Sequence, residues 1–226
     1  MKEKHWIFLF LIVIAGDIVG VQLDNTLLQI IFKPLIIPVL IGYFDSQVKS
    51  ITTGIAKWVL FALLFSLVGD VLLMFQTKKE IFFLLGLSAF LLAHIFYIIF
   101  FHHVRLRENV KSNPWLLVIV VVYYACLISW LSPFLGEMKL PVRIYGIVIS
   151  IMFMLAMHML FIKNKKAGSW MMWGALLFVI SDSVLAINKF YQPFKAADVI
   201  IMLTYGLAQL FIVKGSASYI ISNDKE

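Results

Sequence analysis

Charge is what this sequence has least of. Only 14% of its 226 residues are Asp, Glu, Lys or Arg, and 62% are hydrophobic. Soluble domains carry about a quarter charged residues. A soluble domain of this length would still have to clothe its outside in polar groups, and this chain has too few of them. A mean hydropathy of +0.98 leaves the bilayer as its solvent. Cysteine is nearly absent as well: Cys126 stands alone inside an apolar run, so no disulfide within the chain and no Cys-based metal motif is possible. Gly-rich phosphate loops, dinucleotide fingerprints, nucleophile elbows and HExxH pairs are also missing. That removes the motif-bearing nucleotide, serine-hydrolase and zinc-protease classes.

What is present is a series of apolar runs, each close to the roughly 20 residues that span a bilayer. They cover Trp6–Leu23, Leu27–Phe44, Trp58–Phe75, Ile81–Phe101, Trp115–Leu131, Leu140–Ile162, Ser169–Ile187 and Val199–Ile221. The N-terminal run has the basic start of a signal peptide but no small-x-small cleavage site, so it reads as the first membrane helix. Lys214 and Gly215 interrupt the last run and predict that its helix ends early. The connections are short. The expectation is an all-α integral membrane protein, about eight transmembrane helices in one bundle, forming a single domain over residues 1–226. Trp6, Trp58, Trp115 and Trp170 stand at run ends, where interfacial anchors belong.

The net charge of +7 does not point to nucleic acid, because the cations sit in the segments between runs. There they act as topology signals and contacts for lipid headgroups. A cytoplasmic N-terminus puts twelve of the 19 Lys and Arg residues on that side and seven on the other, which predicts both termini inside. His102 and His103, with Arg105 and Arg107, read as a solvated loop touching anionic lipid. The methionines between Met152 and Met172 read as packing material.

Ionisable residues inside a span cost roughly 2.5–3.5 kcal/mol each on insertion scales, and they face the bundle interior or water. Here they are Asp17, Lys33, Asp70, His94, His158 and Asp182, joined in the last run by Tyr205 and Gln209. At about 1.5 Å per residue, Asp70 and Asp182 lie about 7–8 Å from the same membrane face, with Asp17, Lys33 and Tyr205 about 9 Å from it. His94 and Gln209 come out deeper, at about 15–20 Å. Asn188 and Lys189 stand at the rim. Polar groups from five helices thus converge in one leaflet, which predicts a shared pocket lined by Asp70, Asp182 and Lys33.

Each residue also has a structural reading. The two aspartates can pair with Lys33 to tie helices together. Lys33 precedes Pro34, which lacks an N–H, and can satisfy freed carbonyls. Asp17, between Gly16 and Gly20, reads as interfacial on a close-packed helix. His94 can be a satisfied interior histidine, and no function is assigned to His158. A metal held by Asp70, Asp182 and His94 remains open without support from ligand spacing. A faint repeat also shows. Gly69-Asp70-x-x-Leu73 and Leu92-Ala93-His94-x-Phe96 in the third and fourth runs echo Ser181-Asp182-x-x-Leu185 and Leu207-Ala208-Gln209-x-Phe211 in the seventh and eighth. Spans four apart make such a repeat parallel.

Several segments together resemble the YhhN family of lysoplasmalogenases: Lys33-Pro34-Leu35, Phe65-Ser66-x-x-Gly69-Asp70, Ala93-His94-x-x-Tyr97, Leu140-Pro141-Val142 with Tyr145, Ser181-Asp182-x-x-Leu185-Ala186-x-Asn188-Lys189-Phe190, and Tyr205-x-x-x-Gln209. The resemblance implies an eight-helix membrane hydrolase. Its substrate would be a lysophospholipid within the bilayer, a lysoplasmalogen whose vinyl ether is cleaved to a fatty aldehyde and a glycerophospho-ethanolamine or -choline. It further implies Asp70 and Asp182 as the catalytic pair, with Lys33, His94, Asn188, Lys189, Tyr205 and Gln209 lining the site for substrate.

Two carboxyl groups suit that reaction. The slow step delivers a proton to the β-carbon of the vinyl ether, and a second, ionised carboxylate steadies the resulting oxocarbenium ion and orients water. A low-dielectric wall favours the neutral acid that the first step needs. No cofactor and no metal is required. Two rivals stay open at this point. One is an intramembrane aspartyl protease, although Asp182 follows Ser and no Pro-Ala-Leu motif follows. The other is a lipid or small-molecule transporter using the aspartates as proton carriers.

Overall fold

The computed structural model describes residues 3–49 and 54–223; Lys2 and Lys225, two of the cations counted for orientation, lie outside them. Eight helices are long and apolar enough to cross a membrane: α1 (Glu3–Gln22), α2 (Thr26–Val48), α3 (Ala56–Leu73), α4 (Ile81–Arg107), α5 (Pro114–Phe134), α6 (Gly136–Phe161), α7 (Lys165–Tyr191) and α8 (Ala197–Asn223). They coincide with the eight apolar runs, and no strand occurs among the described residues. The chain is a multi-pass membrane protein.

Local chemistry sets the helix ends. Asn25, Asn113 and Asn164 each accept a backbone N–H of the following helix, from Leu28 (3.2 Å), Trp115 (3.1 Å) and Ala167 (3.1 Å). These caps satisfy donors that would otherwise face lipid. Within α2, Pro34 brings no N–H to the helix, and the backbone tightens into a 3-10 turn over Lys33–Leu35. Gly136, at φ +49°, supplies the left-handed residue that turns α5 into α6.

Close packing relies on small residues, as expected where lipid gives helices no hydrophobic reason to associate. Gly69 of α3 lies under the Phe90 ring of α4, and Gly174 of α7 lies against the backbone of α8 at Ala208 and Ile212. The α3–α4 and α7–α8 hairpins are the two most closely packed pairs. Buried Met152, Met157, Met159 and Met171 fill the core, as the composition led one to expect.

Two expectations require correction. The last helix does not end at Lys214 and Gly215 but continues to Asn223. Gly215 is where α8 meets the Ala167 carbonyl of α7, and Lys214 pairs with Glu3 at 3.5 Å while lying over the Trp170 ring. His102, His103, Arg105 and Arg107 are not a loop. They are the exposed last turns of α4, where His103 Nδ1 meets the Ile99 carbonyl at 2.7 Å. Asp17 stands at the close-packed helix interface expected of it and is fully buried there. Gly16 and Gly20 bring α1 so close to Phe32, Leu28 and Gln29 of α2 that the carboxylate between them is enclosed.

Candidate functional site

The intramembrane polar residues gather into two hydrogen-bonded clusters at the half of the bundle that bears the α1–α2, α3–α4 and α7–α8 connections. In the first, Asp70 of α3 is 2% exposed and accepts the Tyr205 hydroxyl of α8 on Oδ2 at 2.7 Å. One turn further along α8, Gln209 donates to Ser66 Oγ (2.9 Å) and accepts the Tyr97 hydroxyl (2.6 Å). Lys33 makes no ion pair within 4.0 Å among the described residues, yet its charge acts on both Asp70 and Asp17. Neither oxygen of Asp17 has a hydrogen-bond partner there. An enclosed bare carboxylate is expensive by several kcal/mol, and the Lys33 charge offsets part of that cost at Asp17.

The second cluster joins α4, α6 and α7. Asp182 accepts the Tyr145 hydroxyl on Oδ2 at 2.5 Å, and His94 Nε2 lies 3.3 Å from the same oxygen and 2.9 Å from the phenol. The phenol hydrogen is committed to Asp182, so Nε2 carries the imidazole hydrogen and shares it between the two oxygens. His94 Nδ1 is buried without a partner. Both donors converge on Oδ2, and Oδ1 accepts none among the described residues.

Phe178 separates the clusters. Its ring stands edge-on to His94 at 4.6 Å and to Tyr205 at 5.5 Å, and Phe90 packs against both Phe178 and Tyr205. The convergence expected from depth is therefore realised as two adjoining clusters rather than one shared pocket. Asp182, with 16% of its side chain exposed, opens into a cleft of about 40 Å³ that neither Asp70 nor Lys33 lines. Asp182 pairs with His94 and Tyr145, not with Lys33, so the helix-tying pair considered above does not form there. His94 is also not deeper than Asp182. The seventh span runs past Ile187 through a π-helical turn to Tyr191, which sets Asp182 about 13 Å from its end. Asp70, Asp182 and His94 form no metal-ligand group, and no three metal-ligating side chains cluster among the described residues.

The remaining candidates sit at the edges. Asn188 holds the turn after α7 by accepting the Phe194 N–H at 3.1 Å. Lys189 lies exposed at the rim, its ammonium 4.9 Å above the Phe83 ring. His158 is structural: Nε2 accepts the Asn113 N–H at 3.2 Å, and Nδ1 meets the Met154 carbonyl at 2.8 Å.

Tyr145 is the residue that reading the sequence for charge passed over, and the internal repeat could have found it. The offset that carries Asp70 onto Asp182 also carries Lys33 onto Tyr145, and the offset that carries His94 onto Gln209 also carries Phe90 onto Tyr205. In space the halves exchange partners. Asp70 of α3 reaches across to α8, and Asp182 of α7 reaches across to α4.

Comparison with known proteins places these clusters in context. The sequence profile of the YhhN family matches residues 28–216. The chain is 36% identical to lysoplasmalogenase TMEM86B of Homo sapiens over 67% of its own length. It is 31% identical to a lysoplasmalogenase of Mycobacterium tuberculosis (strain CDC 1551 / Oshkosh) over 70% of its length. Against lysoplasmalogenase TMEM86A of Homo sapiens the identity is 32% over 66%. The matches span 59%, 60% and 61% of those relatives' own lengths. No solved structure matches the chain.

Proposed function

The chain belongs to the YhhN family, and from that premise we propose that it is a lysoplasmalogenase-like hydrolase. It cleaves the vinyl ether of a lysoplasmalogen to a fatty aldehyde and a glycerophospho-ethanolamine or -choline. The observation that carries the reading is the Asp182 cluster, where a carboxyl group held by a phenol and an imidazole meets an apolar cleft inside the membrane.

In the mechanism we propose, Asp182 delivers a proton to the β-carbon of the vinyl ether from Oδ1, the oxygen that neither Tyr145 nor His94 occupies. The former double bond becomes an oxocarbenium ion, and the Tyr145 hydroxyl and His94 stabilise the carboxylate left behind. Water attacks the cationic carbon and returns a proton to Asp182. The hemiacetal then collapses, its hydroxyl proton passing to the leaving glycerol oxygen as the aldehyde forms. Asp70, on the far side of the Phe178 ring, is the second carboxyl group of the pair. Lys33, Asn188, Lys189, Tyr205 and Gln209 support the site, the two lysines by attraction for the lipid phosphate. Both termini are placed in the cytoplasm.

The test is aldehyde release by the purified protein from a lysoplasmalogen, with a saturated ether analogue beside it. The vinyl ether substrate releases aldehyde. The analogue binds and stays intact, because it offers no carbon to protonate. Peptide products from a membrane substrate, or solute accumulation in vesicles without aldehyde, would replace this reading with a protease or a transporter.

A further inference from the structure

We infer that the cleft between α5, α6 and α7 is the binding site for the hydrocarbon chain of the lysolipid, which slips in sideways from the bilayer behind a movable α5. The inference rests on the hydrolase reading above and extends it to a chain-binding residue set that the charged residues did not reveal.

The walls of the cleft are aliphatic, from Leu127 and Leu131 of α5 to Val142 and Ile149 of α6. Tyr145 and Asp182 interrupt that surface, so a chain lying in the cleft passes the carboxyl group. No Lys, Arg or His lines the cleft among the described residues. A phosphate headgroup would find no counter-charge within it, whereas an uncharged chain needs none. Depth agrees. Leu131, Val142 and Ala186 lie toward the face bearing Lys189, and Tyr123 and Ile149 lie farther in. A headgroup at that face leaves the ether bond beside Asp182 and the tail pointing inward.

A volume of about 40 Å³ holds no more than a water or two, so the cleft as it stands is too small for a hydrocarbon chain and one wall must move. Helix α5 is the wall suited to it. Only Val120 and Leu131 of Pro114–Leu131 are buried, against ten residues of Lys139–His158. Its polar ties to the bundle are the 2.7 Å bond between Tyr123 and Ser183, the 2.8 Å bond from Arg143 to Ser132 at its far end, and the 3.4 Å bond from Tyr124 to the Arg143 carbonyl. Elements with few buried contacts open at the lowest free energy. The closed wall rests on a glycine: a Cβ at Gly146 would lie 3.0 Å from the Tyr124 ring. A larger side chain there fills the space that the chain would take.

Two measurements decide the matter. In the first, aldehyde release is followed on long-chain and short-chain vinyl ether lysolipids for the parent, Gly146→Leu and Leu127→Ala. Gly146→Leu should lower the long-to-short ratio of kcat/KM by roughly 10-fold, the scale on which apolar pockets discriminate chains. Leu127→Ala should raise the rate on a branched chain relative to a straight one. Ratios taken within one variant are insensitive to its yield, and unchanged ratios in both variants would overturn the proposal. In the second, a saturated-ether lysolipid with a diazirine in its chain is photolysed on the parent protein. Labels on Leu127–Leu131 and Gly146–Ile149 support the cleft, and labels confined to outward-facing Leu117 and Val118 overturn it. The photolabel does not depend on turnover. A parent that releases no aldehyde from any chain therefore ends the hydrolase reading without touching the result for the cleft.

Discussion

The two halves of the site hold an aspartate each and treat it differently. Asp70 is sealed, with one phenol on its carboxylate, Lys33 acting on it through space and the Gln209–Ser66–Tyr97 chain beside it. Asp182 is held by two donors on one oxygen, keeps the other oxygen free and meets a cleft. Where one half has Lys33, the other has Tyr145; where one has Gln209, the other has His94. If the halves descend from one unit, the substitutions exchanged a fixed charge for a phenol and an amide for an imidazole. Both groups of the α7 half put a donor on one Asp182 oxygen, whereas the α3 half surrounds Asp70 with a fixed charge and an amide chain.

The largest effect that tests this contrast is on turnover. Asp182→Asn and Asp70→Asn should each lower aldehyde release by roughly 100-fold or more per folded molecule, as loss of general acid catalysis does. The double variant should be scarcely worse than either single one, because groups acting as a unit are non-additive. Thermal stability separates the halves. Asp70→Asn leaves Lys33 with Asp17 as its one neighbouring carboxyl group and should unfold several degrees earlier, whereas Asp182→Asn should melt near the parent. Stable Asn variants with parental turnover would remove both aspartates from the chemistry.

A smaller effect is expected at the phenols. Tyr145→Phe takes one of two donors from Asp182 and should slow turnover by about 10-fold, within the range for a single donor to a charged group. Tyr205→Phe should act mainly on stability, by about 1–3 kcal/mol, since Asp70 loses the one side-chain hydrogen bond it accepts among the described residues. Equal kinetic defects in the two variants would erase the distinction between halves.

Smaller again is the amide chain. Gln209→Leu leaves the Tyr97 hydroxyl and Ser66 without their partner and should cost about 1–3 kcal/mol in thermal unfolding, with kcat nearly unchanged. The smallest expected effect is at the rim. Asn188→Ala removes one bond to the Phe194 N–H, worth about 1 kcal/mol, and should leave KM for lysolipid within a factor of two. A large KM change there would move headgroup binding to Asn188.

Much of this was legible beforehand. All eight spans could be located because a helix crossing lipid must be nearly continuous in apolar residues, and the short connections follow from the spacing of the runs. Polar residues inside spans were equally visible, since each is costly enough to stand out against its run. The ends of α8 and α4 were misjudged for one reason. Lys214, His103 and Arg105 look like breaks in hydropathy, yet long or basic side chains at a membrane edge reach water from within an intact helix. In sequence Tyr145 stands out only within a family-like segment, with no role at the site; its importance comes from the carboxylate it meets.

By itself the sequence determined that the protein is an eight-span membrane bundle and that Asp70, His94, Asp182, Tyr205 and Gln209 face inward. The physical reason is the bilayer, which penalises every polar group and so prints the spans and their exceptions directly into composition. Only the tertiary structure decided that Asp70 goes to Tyr205 and Asp182 to His94 and Tyr145, that Phe178 parts them, and that Asp182 alone meets the cleft. Those partnerships depend on how each helix is rotated and how closely it approaches its neighbours. Glycines such as Gly69, Gly86 and Gly174 set both, through contacts with residues far away in the chain, and no local pattern records them.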